Sequence, residues 1–366
     1  MDGTQLRCQT FAEVKNFTPG DFFDTKNIRF IDRFAQFAIV AAREAAGDAG
    51  LSWSDDRKNR FGVILGSSTG GQTTEDAGFV DLYRNNRPRV DPTTIPRVMA
   101  NSAVSQISIE FGVTGPSFTI STACSSANHA IGQAFWLVRN GVIDGAITGG
   151  SEAPFSFGNL KAWEALRVMS SDMCRPFSKN RQGITLGEGA GVLVLESLEH
   201  ARARGARIYA EIAGFGMSAD AFHIIQPTIA GPAAAMQGAL DDAAIRPEDI
   251  DYINAHGTGT TANDVTETAS IRRVFREHAN HLAISSTKSM HGHALGAAGA
   301  LEGVATVLTI ENQLAPPTAN FLEPDPECDL DVIPNEARAA KINCALSNSF
   351  AFGGLNAVLA FRRWSE

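Results

Sequence analysis

Short apolar runs alternating with longer amphipathic stretches set the rhythm of this chain. The runs "FGVILG" (61–66), "SFTIST" (117–122), "GAITGG" (145–150), "GVLVLES" (191–197), "IYAEIAGFG" (208–216), "DYINA" (251–255), "LAISS" (282–286), "NCALSNSF" (343–350) and "AVLAF" (357–361) are short and rich in β-branched or small residues. They predict strands, mostly buried on both faces. Between them, "IDRFAQFAIVAAREAAGDAG" repeats Ile31, Phe34, Phe37, Ala38, Ala41 and Ala45 at helical spacing, and Gly50 offers a stop. The alternation predicts an α/β fold with a largely parallel or mixed sheet. The small-residue-rich stretch 294–310, interrupted by Glu302, predicts a buried helix rather than a membrane span. A charged seam at 198–207, "LEHARARGAR", divides the chain into halves, 1–205 and 206–366, whose similar strand content suggests a pseudo-duplicated architecture.

Composition narrows the possibilities. With 366 residues, 44% of them apolar and 19% charged, the chain has material for a large core. Its net charge of −9 would repel nucleic-acid phosphates, so a nucleic-acid partner is not expected. Five cysteines, an odd number without a CxxC, indicate neither a disulfide framework nor a zinc ribbon and suit the reducing cytoplasm. The opening residues lack the basic-then-apolar layout of a secretory signal, and no run is expected to span a bilayer.

Chemistry concentrates where predicted strands end. In "SFTISTACSSANHAIGQAFW" (117–136) a strand runs into Cys124 and then into a helix expected over 125–139, closed by Asn140 and Gly141. A nucleophile on a sharp strand-to-helix turn projects from the sheet beside its own N–H. The positive end of the helix is expected to lower the thiol pKa. The other reading is a buried Cys124 packed as a small hydrophobe. "NAHGTGTTANDVTET" (254–268) sets His256 after another strand, and "STKSMHGHALGAAGALEG" (286–303) sets Lys288 and His293 after a third. Each histidine alone is a common structural residue, but loops at one edge of an α/β sheet are where ligands collect. His291, His293 and His281 lack the spacing of zinc sites, and "GSSTGG" (66–71) lacks the ending of a P-loop, so no metal is expected.

Taken together and in order, "TACSS", "AHGTGT", "STKSMHGHALGAAGA" and "NSFAFGGLN" (348–356) resemble the β-ketoacyl-acyl carrier protein synthases of the thiolase fold, the elongating Cys/His/His type, with fatty-acid-type and nodulation-type members. The resemblance runs from about residue 29 to the end. It implies a duplicated five-layer α-β-α-β-α architecture with mixed sheets, a homodimer, acyl carrier protein as partner, and no cofactor beyond the phosphopantetheine that carries the substrates. It further implies that Cys124 takes the acyl chain as a thioester. His256 and His293 would then promote decarboxylation of malonyl thioester, with Lys288 and Glu267 organising their site. The N–H groups of Cys124 and Phe352 would form the oxyanion hole, with Phe352 gating the acyl pocket, and Thr258 and Thr260 would bind pantetheine. Lys26, Arg29 and Arg175 are candidates for docking the acidic carrier protein.

The same residues separate the chain from cousins. Thiolases use a second cysteine where "NSFAFGG" has none, initiating synthases carry Asn where His293 stands, and chain-length-factor homologues lack the nucleophile. Departures remain. Family members open with a strand resembling "VVITGxGxxSPxG" that has no counterpart here; that strand is expected at the centre of the N-terminal sheet. Either the true start lies upstream or an unfamiliar N-terminus replaces that strand; the second case leads to the alternative of an inactive carrier-binding or dimer-partner protein. Ala351 replaces a glycine before Phe352 and is expected to stiffen the loop. Asn263 replaces a glycine before Asp264, where tolerance of left-handed geometry matters. His291 occupies a slot usually held by a small or hydroxyl residue. A cysteine hydrolase is the reading from another class, and no Asp or Asn constellation supports it.

Overall fold

The computed structural model describes residues 5–52 and 57–365. Its strands are β1 (Phe61–Gly66), β2 (Ser117–Ile120), β3 (Gly145–Glu152), β4 (Gly189–Glu196), β5 (Ala210–Ala219), β6 (Tyr252–Asn254), β7 (Ala283–Ser285), β8 (Leu314–Ala315), β9 (Arg338–Ala339), β10 (Cys344–Phe350) and β11 (Leu355–Arg363). The helices are α1 (Arg33–Asp48), α2 (Gln72–Phe79), α3 (Thr94–Val98), α4 (Ser102–Phe111), α5 (Ser126–Arg139), α6 (Phe157–Ala165), α7 (Leu198–Ala203), α8 (Ala230–Ala243), α9 (Thr261–Phe275), α10 (Lys288–His291) and α11 (Ala298–Asn312).

The apolar runs assemble into two mixed sheets, ordered β2-β1-β3-β4 and β5-β11-β10-β6-β7. Helices α1 and α4 cover the outer face of the first sheet, α5 and α11 lie between the sheets, and α8, backed by α9, covers the second. The five layers α-β-α-β-α result because each sheet is apolar on both faces and must bury both. α5 touches both sheets at once, and two glycines permit the approach. A Cβ on Gly66 at the end of β1 would lie 2.4 Å from the Ala127 nitrogen, and one on Gly132 would lie 2.4 Å from the Phe215 ring. α1 is capped by Asp32, whose carboxylate accepts from Phe34 N–H and also from Thr73 and Thr74 of α2.

The four-stranded first sheet corrects one expectation. Its centre is complete, with β1 and β3 each paired on both sides. Among the described residues β4 pairs with β3 alone, whereas β11 is flanked by β10 and β5. Ala351 and Asn263 stand in for glycines at positions that do not require left-handed backbone. Neither has a positive φ. In the gating loop the left-handed positions are Gly353 (φ 82°) and Gly354 (φ 69°), which keep their glycines, and Asn263 lies within helix α9. An added Cβ at 351 therefore brings no backbone strain.

Candidate active site

Every parallel strand near the middle of the molecule ends in the same region. β2 leads to Cys124, β3 ends in Glu152, β6 leads to His256, β7 leads to Lys288 and His293, and β10 leads to the loop holding Phe352. Such carboxyl ends are where an α/β fold gathers ligands.

The turn that presents Cys124 is held by side chains. β2 stops at Ile120, two residues short of the expected end, because the Thr122 N–H donates to Ser126 Oγ (2.9 Å) instead of to a neighbouring strand. Ala123 is forced to φ 51°, a costly value for a residue with a Cβ, immediately before the sulfur. Ser125 Oγ donates to Thr122 O (2.9 Å), and His129 Nδ1 lies 3.0 Å from Thr122 Oγ1. Helix α5 starts at Ser126, as its sequence predicts to within one residue.

Cys124 is buried, with 7% of its surface exposed, among Leu186, Leu295, Met169 and Leu160. Burial pushes its thiol up to about 12, assisted by the nearby carboxylates Glu152 and Glu302 and opposed by Lys288 and a hydrogen bond from the Phe352 N–H. The expected lowering by the helix end is overturned: desolvation of the closed site outweighs a partial charge at the helix start. The Phe352 N–H nevertheless points at the sulfur. The ring of Phe352 stacks on Trp163, with centroids 6.1 Å apart and planes at 23°.

His256 and His293 are both 2% exposed, with ring centroids 5.4 Å apart and planes at 86°. Lys288 lies between chemistry and core with no exposed surface. Its ammonium donates to Glu302 Oε1, to the His256 carbonyl (2.6 Å) and to His256 Nδ1 (3.2 Å), using all three of its protons. His256 Nδ1 must then be an acceptor, which places the ring proton on Nε2. His293 Nδ1 accepts from the Leu295 N–H (3.2 Å), which places its proton on Nε2 as well. Burial holds both imidazoles well below the usual histidine value, and the Lys288 charge adds to this. The site therefore contains two neutral rings, each with one N–H donor and its other nitrogen engaged.

Glu267 accepts from the N–H groups of His256 (2.8 Å) and Gly257 (2.7 Å) and from Asn348 Nδ2 (3.1 Å), fixing the His256 loop onto β10. Thr258 and Thr260 share a hydroxyl contact of 2.9 Å, and Thr260 also caps α9 through Asn263 N–H. His291 turns away from these groups, with Nε2 3.0 Å from Thr287 Oγ1 and Nδ1 2.9 Å from the Gly292 carbonyl. Lys26 and Arg29 are exposed. Arg175 differs from the expected surface cation: its side chain is 13% exposed and its guanidinium is bound to Asp172.

Three further residues take part. Glu302 interrupts an apolar run because it neutralises Lys288, a pairing only the fold reveals. Glu152 accepts from Ser68 N–H (2.7 Å), Thr69 Oγ1 (2.7 Å) and Gly296 N–H (3.0 Å), tying the loop after β1 to the segment just past His293. Trp163, on α6, supplies the surface against which Phe352 rests.

Residues 4–201 match the N-terminal domain of the β-ketoacyl synthases and residues 209–322 the C-terminal domain. The chain belongs to the β-ketoacyl synthase family. This synthase is 53% identical to nodulation protein E of Rhizobium sp. (strain N33) over 352 residues, 96% of this chain and 87% of that protein. It is 46% identical over 360 residues to 3-oxoacyl-[acyl-carrier-protein] synthase 2 of Staphylococcus aureus (strain N315), again 96% and 87% of the two chains. The solved ishigamide ketosynthase/chain length factor superposes with a TM-score of 0.95 at 38% identity, covering 100% of this chain and 90% of its own. The thiolase-like fold and the carbon–carbon bond-forming acyltransferase activity of a ketosynthase follow. Among the described residues of the synthase, no helix is long and apolar enough to cross a membrane.

Proposed function

We propose that Cys124, His256 and His293 carry out decarboxylative condensation of a Cys124-bound acyl group with a malonyl thioester. The carrying observation is the pair of neutral imidazoles with both free N–H groups on Nε2. In the first step the Cys124 sulfur attacks the acyl thioester, the oxyanion is held by the N–H groups of Cys124 and Phe352, and the pantetheine thiol departs with the proton of Cys124. In the second, malonyl thioester loses CO2 and the electron pair moves into an enolate whose oxygen accepts from the two Nε2–H groups. The enolate carbon attacks the acyl carbonyl; collapse expels the Cys124 thiolate, which takes one proton from solvent as product leaves, the proton that the overall condensation consumes. The departing carboxylate supplies the driving force, so no cofactor is needed beyond the phosphopantetheine that carries both substrates. Lys288 and Glu267 hold the histidines, and Thr258 and Thr260 receive the pantetheine arm.

The carrier is acyl carrier protein, the group named for the Staphylococcus relative. Lys26 and Arg29 are its docking cations; Arg175, tied to Asp172, contributes less. Exposed Phe79, Tyr83, Ile95, Ile109 and Phe118 on neighbouring elements of the first half support association with a second copy, and β2 offers an edge for it. The divide between halves falls at 205/206, and five free cysteines suit the cytoplasm. The product is a β-ketoacyl chain for fatty-acid or specialised acyl-chain synthesis.

One assay decides: incubation with acyl and malonyl carrier-protein thioesters, following CO2, the Cys124 thioester and β-ketoacyl product. Extension requires all three. A Cys124 thioester without CO2 or product would mean an inactive carrier-binding protein, and release of free acid would mean a hydrolase.

A further inference from the structure

Both reacting segments carry a residue in the left-handed region, which a side chain disfavours. Ala123 (φ 51°) precedes Cys124, and Leu295 (φ 48°) stands two residues after His293. A conformation of this kind persists only where its surroundings over-determine it. At Ala123 the serine hydroxyls do so, Ser126 Oγ donating to the Ala123 carbonyl (2.6 Å) and Ser125 Oγ to that of Thr122 (2.9 Å). Leu295 has more to hold in place. Its N–H meets His293 Nδ1 (3.2 Å), and its side chain packs in the cluster that surrounds Cys124.

The restraint on Leu295 comes from Glu152. The next N–H along the chain, that of Gly296, donates to Glu152 Oε2 (3.0 Å). Gly296 also lies so close to the loop after β1 that a Cβ on it would be 2.3 Å from the Ser68 nitrogen and 2.5 Å from Glu152 Oε2. Glu152 itself has no exposed surface. Its Oε2 also accepts from the Ser68 N–H (2.7 Å) and hydroxyl, and its Oε1 from Ser67 Oγ (3.2 Å) and from the Thr69 N–H (3.2 Å) and hydroxyl (2.7 Å). These donors more than fill the roughly four lone-pair sites of a carboxylate, so the group is held from both sides and cannot turn away from Gly296.

We propose that Glu152 is a positioning residue: by accepting from the Gly296 N–H it keeps Leu295 left-handed, and Leu295 in turn keeps the His293 proton on Nε2. When that acceptor is withdrawn, Leu295 relaxes toward ordinary backbone and its N–H turns away from His293 Nδ1. A neutral imidazole carries its proton on whichever nitrogen its surroundings leave to donate. With Nδ1 released, part of the population moves the proton there, and the ring then offers a lone pair where the enolate oxygen needs a donor. The consequence for catalysis rests on the reading of His293 as an enolate donor; the place of its proton is independent of that reading.

The test labels the full chain with ¹⁵N at histidine and reads, from long-range proton–nitrogen correlations without substrate, which ring nitrogen of His293 is protonated; its signals are those that vanish in His293→Gln. The parent is expected to show Nε2–H alone. Glu152→Asp withdraws the carboxylate from Gly296 by one methylene while the Ser68 and Thr69 hydroxyls can follow it. Glu152→Gln keeps an acceptor for Gly296, with its NH2 turned to the Ser67 and Thr69 hydroxyls. In Glu152→Asp both tautomers are expected, with CO2 release from malonyl thioester down about tenfold and Cys124 acylation within about threefold of the parent; Glu152→Gln should restore Nε2–H and most of the CO2 release. Glycine adopts φ 48° freely, so Glu152→Asp should cost less in a Leu295→Gly background than alone. A Glu152→Asp protein with Nε2–H only, or equal loss of both half-reactions in it, overturns the proposal and leaves Glu152 a structural anchor. Should the parent release no CO2, the condensation reading fails, while the His293 tautomer in Glu152→Asp still decides the role of Glu152.

Discussion

Replacing His293 by alanine separates the two half-reactions. The structure gives His293 one catalytic feature, a proton on Nε2 fixed there because Nδ1 accepts from the Leu295 N–H. In the proposed mechanism acyl transfer to Cys124 uses the Cys124 and Phe352 N–H groups and leaves His293 idle. Decarboxylation needs both imidazole donors, and losing one donor to a developing oxyanion costs about 3–4 kcal/mol, a fall of about 10²–10³ in rate. The variant also leaves the buried Leu295 N–H without its acceptor, at about 1–3 kcal/mol of stability, so thermal unfolding must first show that it is folded at the assay temperature. Mass spectrometry of the Cys124 thioester and CO2 release from malonyl thioester then report the two steps. Near-normal acylation with CO2 release down by two to three orders of magnitude is expected, and His293→Asn, which retains an N–H, should recover part of the loss. Equal loss of both steps, or CO2 release within a few-fold of the parent, would refute the division of roles.

Other substitutions probe the remaining parts. Lys288→Ala leaves Glu302 buried without its cation and should cost about 3–5 kcal/mol in denaturant unfolding, whereas Lys288→Met with Glu302→Gln should recover most of that stability but not CO2 release; no difference between the two would contradict the pairing. The thiol of Cys124 is raised to about 12, above its ordinary value, so it stays protonated in the closed enzyme and its contribution to stability is lost only as pH climbs from about 9 toward 12. Alkylation of Cys124 should therefore accelerate with pH up to at least 9, and a plateau below pH 8 would show a thiolate already present. Trp163→Ala removes the surface under Phe352 and enlarges the space near Cys124, shifting the acyl groups trapped on the sulfur toward longer chains; an unchanged mass distribution would place Trp163 outside the pocket.

What could be read before folding was local. The strand-end loops carrying Cys124, His256, Lys288 and His293 are contiguous motifs, and the helix after Cys124 follows from its own periodicity. The misreadings concern neighbours far away in the chain. A sequence shows a helix beginning after Cys124, but not that Leu186 and Leu295 come from other elements to exclude water from the sulfur. It shows Glu302 as a charge in an apolar helix, but not Lys288 beside it. Strand order is equally hidden, which is why the family's opening strand was expected at the centre of a sheet whose central strands, β1 and β3, already pair on both sides. Arg175 looked like an ordinary surface cation until Asp172 and its surroundings were placed around it.

The buried lysine is why, in the proposed mechanism, the histidines serve as donors rather than bases. A general base must offer a lone pair, and at His256 that lone pair is taken by Lys288 while at His293 it is taken by a backbone N–H. A carboxylate in place of Lys288 would favour the protonated imidazolium; the cation does the reverse, and burial adds to it. Glu302 lets that cation exist without water, and Glu267 keeps the His256 loop from moving toward bulk solvent. The price is a thiol with no base of its own, so its proton must leave with the pantetheine sulfur it displaces. A site organised in this way favours loss of CO2 over capture of a proton from water, because its two fixed N–H groups meet an enolate oxygen while the acceptor nitrogen of each ring is already engaged.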